Sequence, residues 1–213
     1  MDSAAHIEKL LSRHPETAPA IPGLRVLVND TVELFKHGGT FFVAGNGGSA
    51  ADSDHICGEL LKGFLLKRPL PEFDRKKFSE LIGAEGADCD AKLQGGLRAV
   101  SLLSHPALSS AFANDVDADL VYAQQLWALA KPGDIFLGIS TGGGSKNVKA
   151  ALMAAKARGV KSFLLTGNKH GVCEKYADVV IAVDEKETYL IQEQHILLYH
   201  NFCMAVESEF FSK

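Results

Sequence analysis

Nowhere in these 213 residues does an apolar run approach the roughly 20 residues that a membrane-spanning helix requires. The opening stretch, MDSAAHIEKLLSRHPE, is amphipathic and charged with no apolar signal core, so a soluble protein without a membrane role is expected. Cysteine is scarce. Cys57, Cys89, Cys173 and Cys203 stand far apart with no CxxC pair, which excludes a zinc ribbon or a disulfide framework and points to a reducing, cytoplasmic setting. Basic charge is not in excess either: the formal net charge is -4, which speaks against nucleic acid as a partner, because binding a phosphate backbone usually takes a basic face. The nucleotide signatures GK[ST] and GxGxxG are also missing.

What is present is an alternation. At 46% hydrophobic composition the chain is long enough to bury a substantial core as one domain. Helical patterns over 4–13 and 24–36 precede the short apolar run TFFVAG, and runs of the same kind recur at LRAVSLL from Leu97, DIFLGIS from Asp134, KSFLLT from Lys161 and DVVIAV from Asp178. All are too apolar for a half-exposed sheet, and helical stretches lie between them. The clearest, SKNVKAALMAAKARG, has Ser145 placed to cap, a stripe of Val148, Leu152 and Ala155, and Gly159 to end it. Strand and helix in turn predict an α/β fold: a parallel sheet covered on both faces. A last helix over 187–211 is apolar around most of its circumference, as if buried, here against another subunit. The segment 65–96, with two prolines, several glycines and charges of both signs, reads as an insertion carrying one short helix over 76–82. It is either a surface excursion or a lid over a site.

Two strand ends carry glycines and hydroxyls to one edge of such a sheet: AGNGGSA after the first strand and GISTGGGSKN after the third. Ligands of parallel sheets sit at the carboxyl ends of the strands. Backbone N–H groups and the hydroxyls of Ser49, Ser140, Thr141 and Ser145, with a helix N-terminus behind each, suit a phosphate. Behind the first loop, His55 and Glu59 stand at i and i+4 on one helix face, a spacing that serves a metal, an acid–base pair or a plain surface hydrogen bond. On the last helix Gln192, Glu193, Gln194, His195 and His200 are polar stations in an apolar sequence. Some of them must face a site or an interface, since buried polar groups require partners.

Taken in order, GNGGSAADSDH (residues 45–55) with Glu59, the AxxND of AFANDVDADL, LGISTGGGSKNV and IQEQHILLYH resemble the sugar isomerase (SIS) domain and, within it, the phosphoheptose isomerase family. The resemblance implies a three-layer α/β/α sandwich on a five-stranded parallel sheet, assembled as a homotetramer. The reaction it implies turns sedoheptulose 7-phosphate into D-glycero-D-manno-heptose 7-phosphate. It also implies one zinc per site, held by His55, Glu59, Gln192 and His200. Glu59 is then the base and His200 the acid of a proton transfer through an enediolate, with zinc as a Lewis acid. The substrate positions are Asn46, Gly47, Gly48 and Ser49 on the first loop, Asn114 and Asp115, then Ser140, Thr141, Gly142 and Ser145 on the second loop, and Gln192. A SIS tetramer that binds a protein, or a sugar-phosphate sensor, is the rival reading.

Three departures from the family pattern bear on the substrate more than on the reaction class. Gly142 lacks a hydroxyl, Tyr189 stands where an acidic residue is common, and Gly63, beside Lys62, stands where an arginine is common. Gln192 and His200 also raise a geometric question. Eight residues along one helix give about 12 Å of rise and an offset of about 80°. One zinc, with bonds of about 2 Å, is then reached most simply if a neighbouring chain donates one of the two or if the helix starts late. His55, Glu59 and His200 are accordingly the firmer ligands, and sites between subunits are expected.

Overall fold

The computed structural model describes residues 3–169 and 171–212. Two helices lead in, α1 (Ser3–Arg13) and α2 (Ile21–Lys36), the second started three residues earlier than its apolar periodicity suggests because Pro22 suits a first helical turn. Then follow β1 (Phe41–Ala44), α3 (Gly48–Leu61), α4 (Glu72–Ile82), α5 (Ala84–Asp90), β2 (Ala99–Ser101), α6 (Pro106–Phe112), α7 (Val121–Leu129), β3 (Ile135–Ile139), α8 (Lys146–Arg158), β4 (Lys161–Thr166), β5 (Val179–Ala182) and α9 (Thr188–Phe211). The five strands pair in the order β2-β1-β3-β4-β5, every pair parallel.

Alternation along the strands builds two cores. Phe41, Val43, Ile135, Leu137, Ile139, Phe163 and Leu165 point to the face covered by α1, α2, α3 and α9. Phe42, Ala44, Phe136 and Leu164 point to the face covered by α7 and α8. Buried on both sides, the strands read as continuous apolar runs, as a parallel sheet requires. The expected three-layer α/β/α sandwich is what forms. The apolar circumference of α9 finds its partners largely within its own chain, where the helix packs along α1, α2 and α3. Among the described residues no helix is long and apolar enough to cross a membrane.

The segment 65–96 holds two helices where one was expected. Pro71 and the acidic Glu72 and Asp74 start α4 four residues before the expected 76, and Gly83, at φ +78°, turns the chain directly into α5. Because α4 buries none of its side chains, no apolar stripe announced its true length or its neighbour. The base of the segment is pinned: Gly95 N–H donates to Arg68 O at 2.7 Å and Gly63 N–H to Gln94 Oε1 at 2.7 Å. Arg68 itself is fully buried. Its Nε donates to Glu207 Oε1 at 2.9 Å, while its Nη atoms donate to the carbonyls of Leu60 and Glu59 at the end of α3. Glu207 in turn accepts the N–H groups of Phe64, Leu65 and Leu66.

Candidate active site

The turn after β1 is shaped by close approaches. A Cβ on Gly45 would meet Ser49 O at 2.6 Å, and Gly47 sits at φ +56°, a conformation that favours glycine. Ser49 N–H and Ala50 N–H donate to Asn46 O and Gly47 O, so α3 begins at once behind the loop. The turn after β3 is tied more heavily. Ser140 N–H reaches Leu165 O, Gly143 N–H reaches Ser140 O, and the carbonyls of Thr141 and Gly143 accept from Gly167 and Cys173. Ser140 Oγ and Ser145 Oγ lie 2.9 Å apart. Ser145 occupies the N-cap position of α8 but its side chain makes no capping bond; the pairing with Ser140 takes its hydroxyl instead, which corrects the capping role expected of it.

The two loops meet. Asn46 and Asn147 exchange both amide hydrogen bonds, at 2.8 and 2.9 Å, and Tyr122 Oη donates to Gly45 O at 2.8 Å. The structure thus gathers Asn46, Gly47, Gly48 and Ser49 beside Ser140, Thr141, Gly142 and Ser145 at the carboxyl edge of adjacent strands. Asn114 and Asp115 are on the helical segment between α6 and α7. Both are exposed and bonded to each other at 2.8 Å, and no hydrogen bond among the described residues joins them to either loop.

Along α3 lies the charged centre. Glu59, nearly buried, accepts from His55 Nε2 at 3.2 Å on one oxygen and from Lys62 Nζ at 2.8 Å on the other. Burial pushes its carboxyl up, but the bonds and charges of Lys62 and His55 together more than offset this and hold it below the usual carboxylate range. His200, on α9, crosses His55 edge to face with ring centroids 5.0 Å apart and lies against Phe64. Its Nε2 is buried with no hydrogen-bond partner among the described residues. Burial, and then the neighbouring His55, push His200 below the ordinary histidine range, with Glu59 pulling the other way. Gln192 is placed elsewhere: its Nε2 lies where a Cβ on Gly48 would come within 2.1 Å, at the start of α3 and two turns before His55. Helices α3 and α9 therefore run parallel, Gln192 over the glycine loop and His200 over His55. Among the described residues, no group of three or more His, Cys, Asp and Glu is gathered to hold a metal ion.

The SIS domain family model matches residues 109–205. A phosphoheptose isomerase from Crocosphaera subtropica is 36% identical over 179 residues, 84% of this chain and 78% of that protein. The chain belongs to the phosphoheptose isomerase family. Among solved structures, a phosphoheptose isomerase from Francisella tularensis superposes with TM-score 0.75 at 25% identity, covering 96% of each chain. One from Neisseria gonorrhoeae gives 0.68 at 29% identity, over 97% of this chain and 91% of that one. Membership in the phosphoheptose isomerase family makes this an isomerase with an α/β fold.

Three further side chains contact the candidate site residues. Tyr199 reaches His55 Nδ1 at 3.0 Å from 144 residues away. Asn147, inside the second motif, pairs with Asn46, and Lys62 takes a carboxylate oxygen of Glu59. Asn147 had a signal, since it follows a strand end that already carried the hydroxyls. Tyr199 had none beyond standing next to His200.

Proposed function

We propose that this member of the phosphoheptose isomerase family converts sedoheptulose 7-phosphate into D-glycero-D-manno-heptose 7-phosphate. The observation that carries the reading is Glu59, nearly buried, held ionised by two donors, and set on the helix that begins at a glycine loop, with His200 close by. The loops bind the phosphate through Ser49, Ser140, Thr141 and Ser145, and Asn46 and Asp115 hold sugar hydroxyls. Glu59 removes a proton from C1 of the ketose while His200 donates one to the C2 oxygen, giving the enediol. Glu59 then returns its proton to C2 as His200 takes the C1 hydroxyl proton, and the aldose forms.

The donors also suit a zinc ion. Two imidazoles and a carboxylate are zinc chemistry, and His200 Nε2 is buried with no partner of its own. His55 Nε2 and Glu59 Oε1, 3.2 Å apart, are separated by close to the span of about 3.3 Å between neighbouring donors of a tetrahedral ion with bonds of about 2 Å. Because the described residues gather no group of three such donors, His55 and Glu59 would hold the ion first, His200 would join after a side-chain movement, and Gln192, over Gly48, only from a second chain or after moving. Bound there, zinc would act as a Lewis acid that stabilises negative charge on the substrate oxygens.

We read the protein further as a cytoplasmic homotetramer with sites shared between subunits, a reading supported by the family resemblance and by the separate placement of Gln192. The experiment is a direct assay with sedoheptulose 7-phosphate, with and without chelator, followed by mixing inactive Glu59→Gln and Gln192→Ala chains under subunit exchange. Activity that is lost with chelator supports the metal. Partial recovery in mixed tetramers supports a site that takes Gln192 from a second chain, and no recovery with mixing confirmed by mass overturns the shared site. No turnover of any ketose phosphate would overturn the enzyme reading in favour of a binding module.

A further inference from the structure

We infer that Tyr199 is a positioning residue for His55, its buried hydroxyl holding one imidazole nitrogen so that the other faces Glu59. The inference rests on the reading of His55 and Glu59 as site residues and deepens it. His55 is itself poorly restrained by packing, since its side chain is 41% exposed. An imidazole in that setting has a broad χ2 preference and two unlike nitrogens, so which one meets Glu59 must be fixed from outside. Tyr199 supplies the restraint. Only 3% exposed, it places its hydroxyl 3.0 Å from His55 Nδ1 and crosses the imidazole edge to face at 5.5 Å, leaving Nε2 as the nitrogen 3.2 Å from Glu59 Oε1.

The hydroxyl is equipped for the task. A neutral His55 whose Nε2–H donates to Glu59 accepts the Tyr199 hydroxyl proton at Nδ1, and one whose Nε2 holds an ion donates Nδ1–H to the phenol oxygen, so the hydroxyl partners Nδ1 in both states. Partners of this kind, one step removed from a ligand, fix its tautomer and orientation. Tyr199 belongs to the core between α9 and the sheet, and the hydroxyl is the one polar atom of its side chain. The two roles are therefore separable by one atom.

Tyr199→Phe removes only the hydroxyl, and Tyr189→Phe, on the exposed side of the same helix, is its control. Three measurements are made at one fixed pH: zinc affinity by chelator competition, the ring nitrogen signals of His55 in the metal-free protein, and the melting temperature. Zinc binding should weaken roughly 10- to 100-fold in Tyr199→Phe alone. The His55 nitrogen signals should shift, and the melting temperature should stay close to that of the parent. Unchanged zinc affinity and unchanged His55 signals would overturn the inference, and so would a drop in melting temperature with both of those preserved. If the parent binds no zinc while the His55 signals still move in Tyr199→Phe, the metal reading fails and the positioning role stands.

Discussion

The fold uses one unit twice, strand, glycine turn and helix, and the two copies have diverged in what they carry. Around β1 and α3 the loop is tied to the rest of the fold by side chains, Tyr122 and Asn147, and the charged groups proposed to do the chemistry lie downstream on the helix, in His55, Glu59 and Lys62. Around β3 and α8 the loop itself is the part proposed to bind phosphate: four backbone bonds fix it, its serines face each other, and the helix behind it supplies Asn147 and an apolar stripe. Even the far ends differ. Gly159 ends α8 in a left-handed turn at φ +71°, the inexpensive local solution, whereas α3 ends on the buried guanidinium of Arg68. A helix that only presents a loop can end anywhere. One that carries the proposed base Glu59 in its last turn has that turn held.

The comparison is sharpened most by Glu59→Gln. If proton transfer belongs to α3, kcat should fall about 100- to 10,000-fold with KM little changed, the range for losing a positioned general base. Steady-state kinetics on the ketose phosphate decide it, and a change confined to KM would move Glu59 to the binding side. Next comes the held turn. Arg68→Met leaves Glu207 buried without its cation and frees two carbonyls, a loss on the order of 3–5 kcal/mol in denaturant unfolding. A loss under 1 kcal/mol would show that the three N–H donors at 64–66 satisfy Glu207 by themselves.

How much of this asymmetry was legible beforehand depends on the range of the interaction. The strands and most helices were legible because a sheet buried on both faces leaves unbroken apolar runs, and the two glycine loops because φ above zero and close approaches select glycine. His55 and Glu59 stood out because i and i+4 share a helix face. Arg68 and Glu207 are 139 residues apart, and nothing local marks a charge as buried. Helix α5 was invisible for the opposite reason: AEGADCD buries almost nothing, so it has no stripe to read. Ser145 misled in a third way, since a residue at an N-cap position can give its hydroxyl to a neighbour instead of to the helix.

The α3 side should also show in acid. His195, on the α9 layer behind it, is buried, and desolvation pushes it down to about 4 from an ordinary 6.5, with a backbone bond near Thr166 opposing. The folded protein therefore resists a proton that the unfolded chain accepts. Stability should be level above pH 6.5 and fall as pH drops from 6.5 towards 4, by up to about 3 kcal/mol, and melting curves across that window in the parent and in His195→Gln test it. A slope equally steep in His195→Gln would assign it to other groups.

The smallest effects belong to the β3–α8 unit. Ser140→Ala and Ser145→Ala should each raise KM roughly 5- to 30-fold, about 1–2 kcal/mol, while leaving kcat near the parent value. Unchanged KM in both would take the phosphate away from this loop. Gly159→Ala should cost about 1 kcal/mol of stability and no activity, because its Cβ meets nothing closer than Pro132 at 3.6 Å and only the left-handed backbone objects.

Because α3 and α9 run side by side in the same direction, the pair works as a ruler. Its zero is the glycine loop, where Gln192 rests on Gly48, and its working mark is His55, seven residues on, at about 10 Å along the axis. A molecule gripped by its phosphate at the zero presents to the mark only the carbon that lies that far along its backbone. A short phosphorylated sugar falls before it, and a longer one overshoots. Chain length would then be selected by counting helical turns, with no side chain having to recognise the carbons in between.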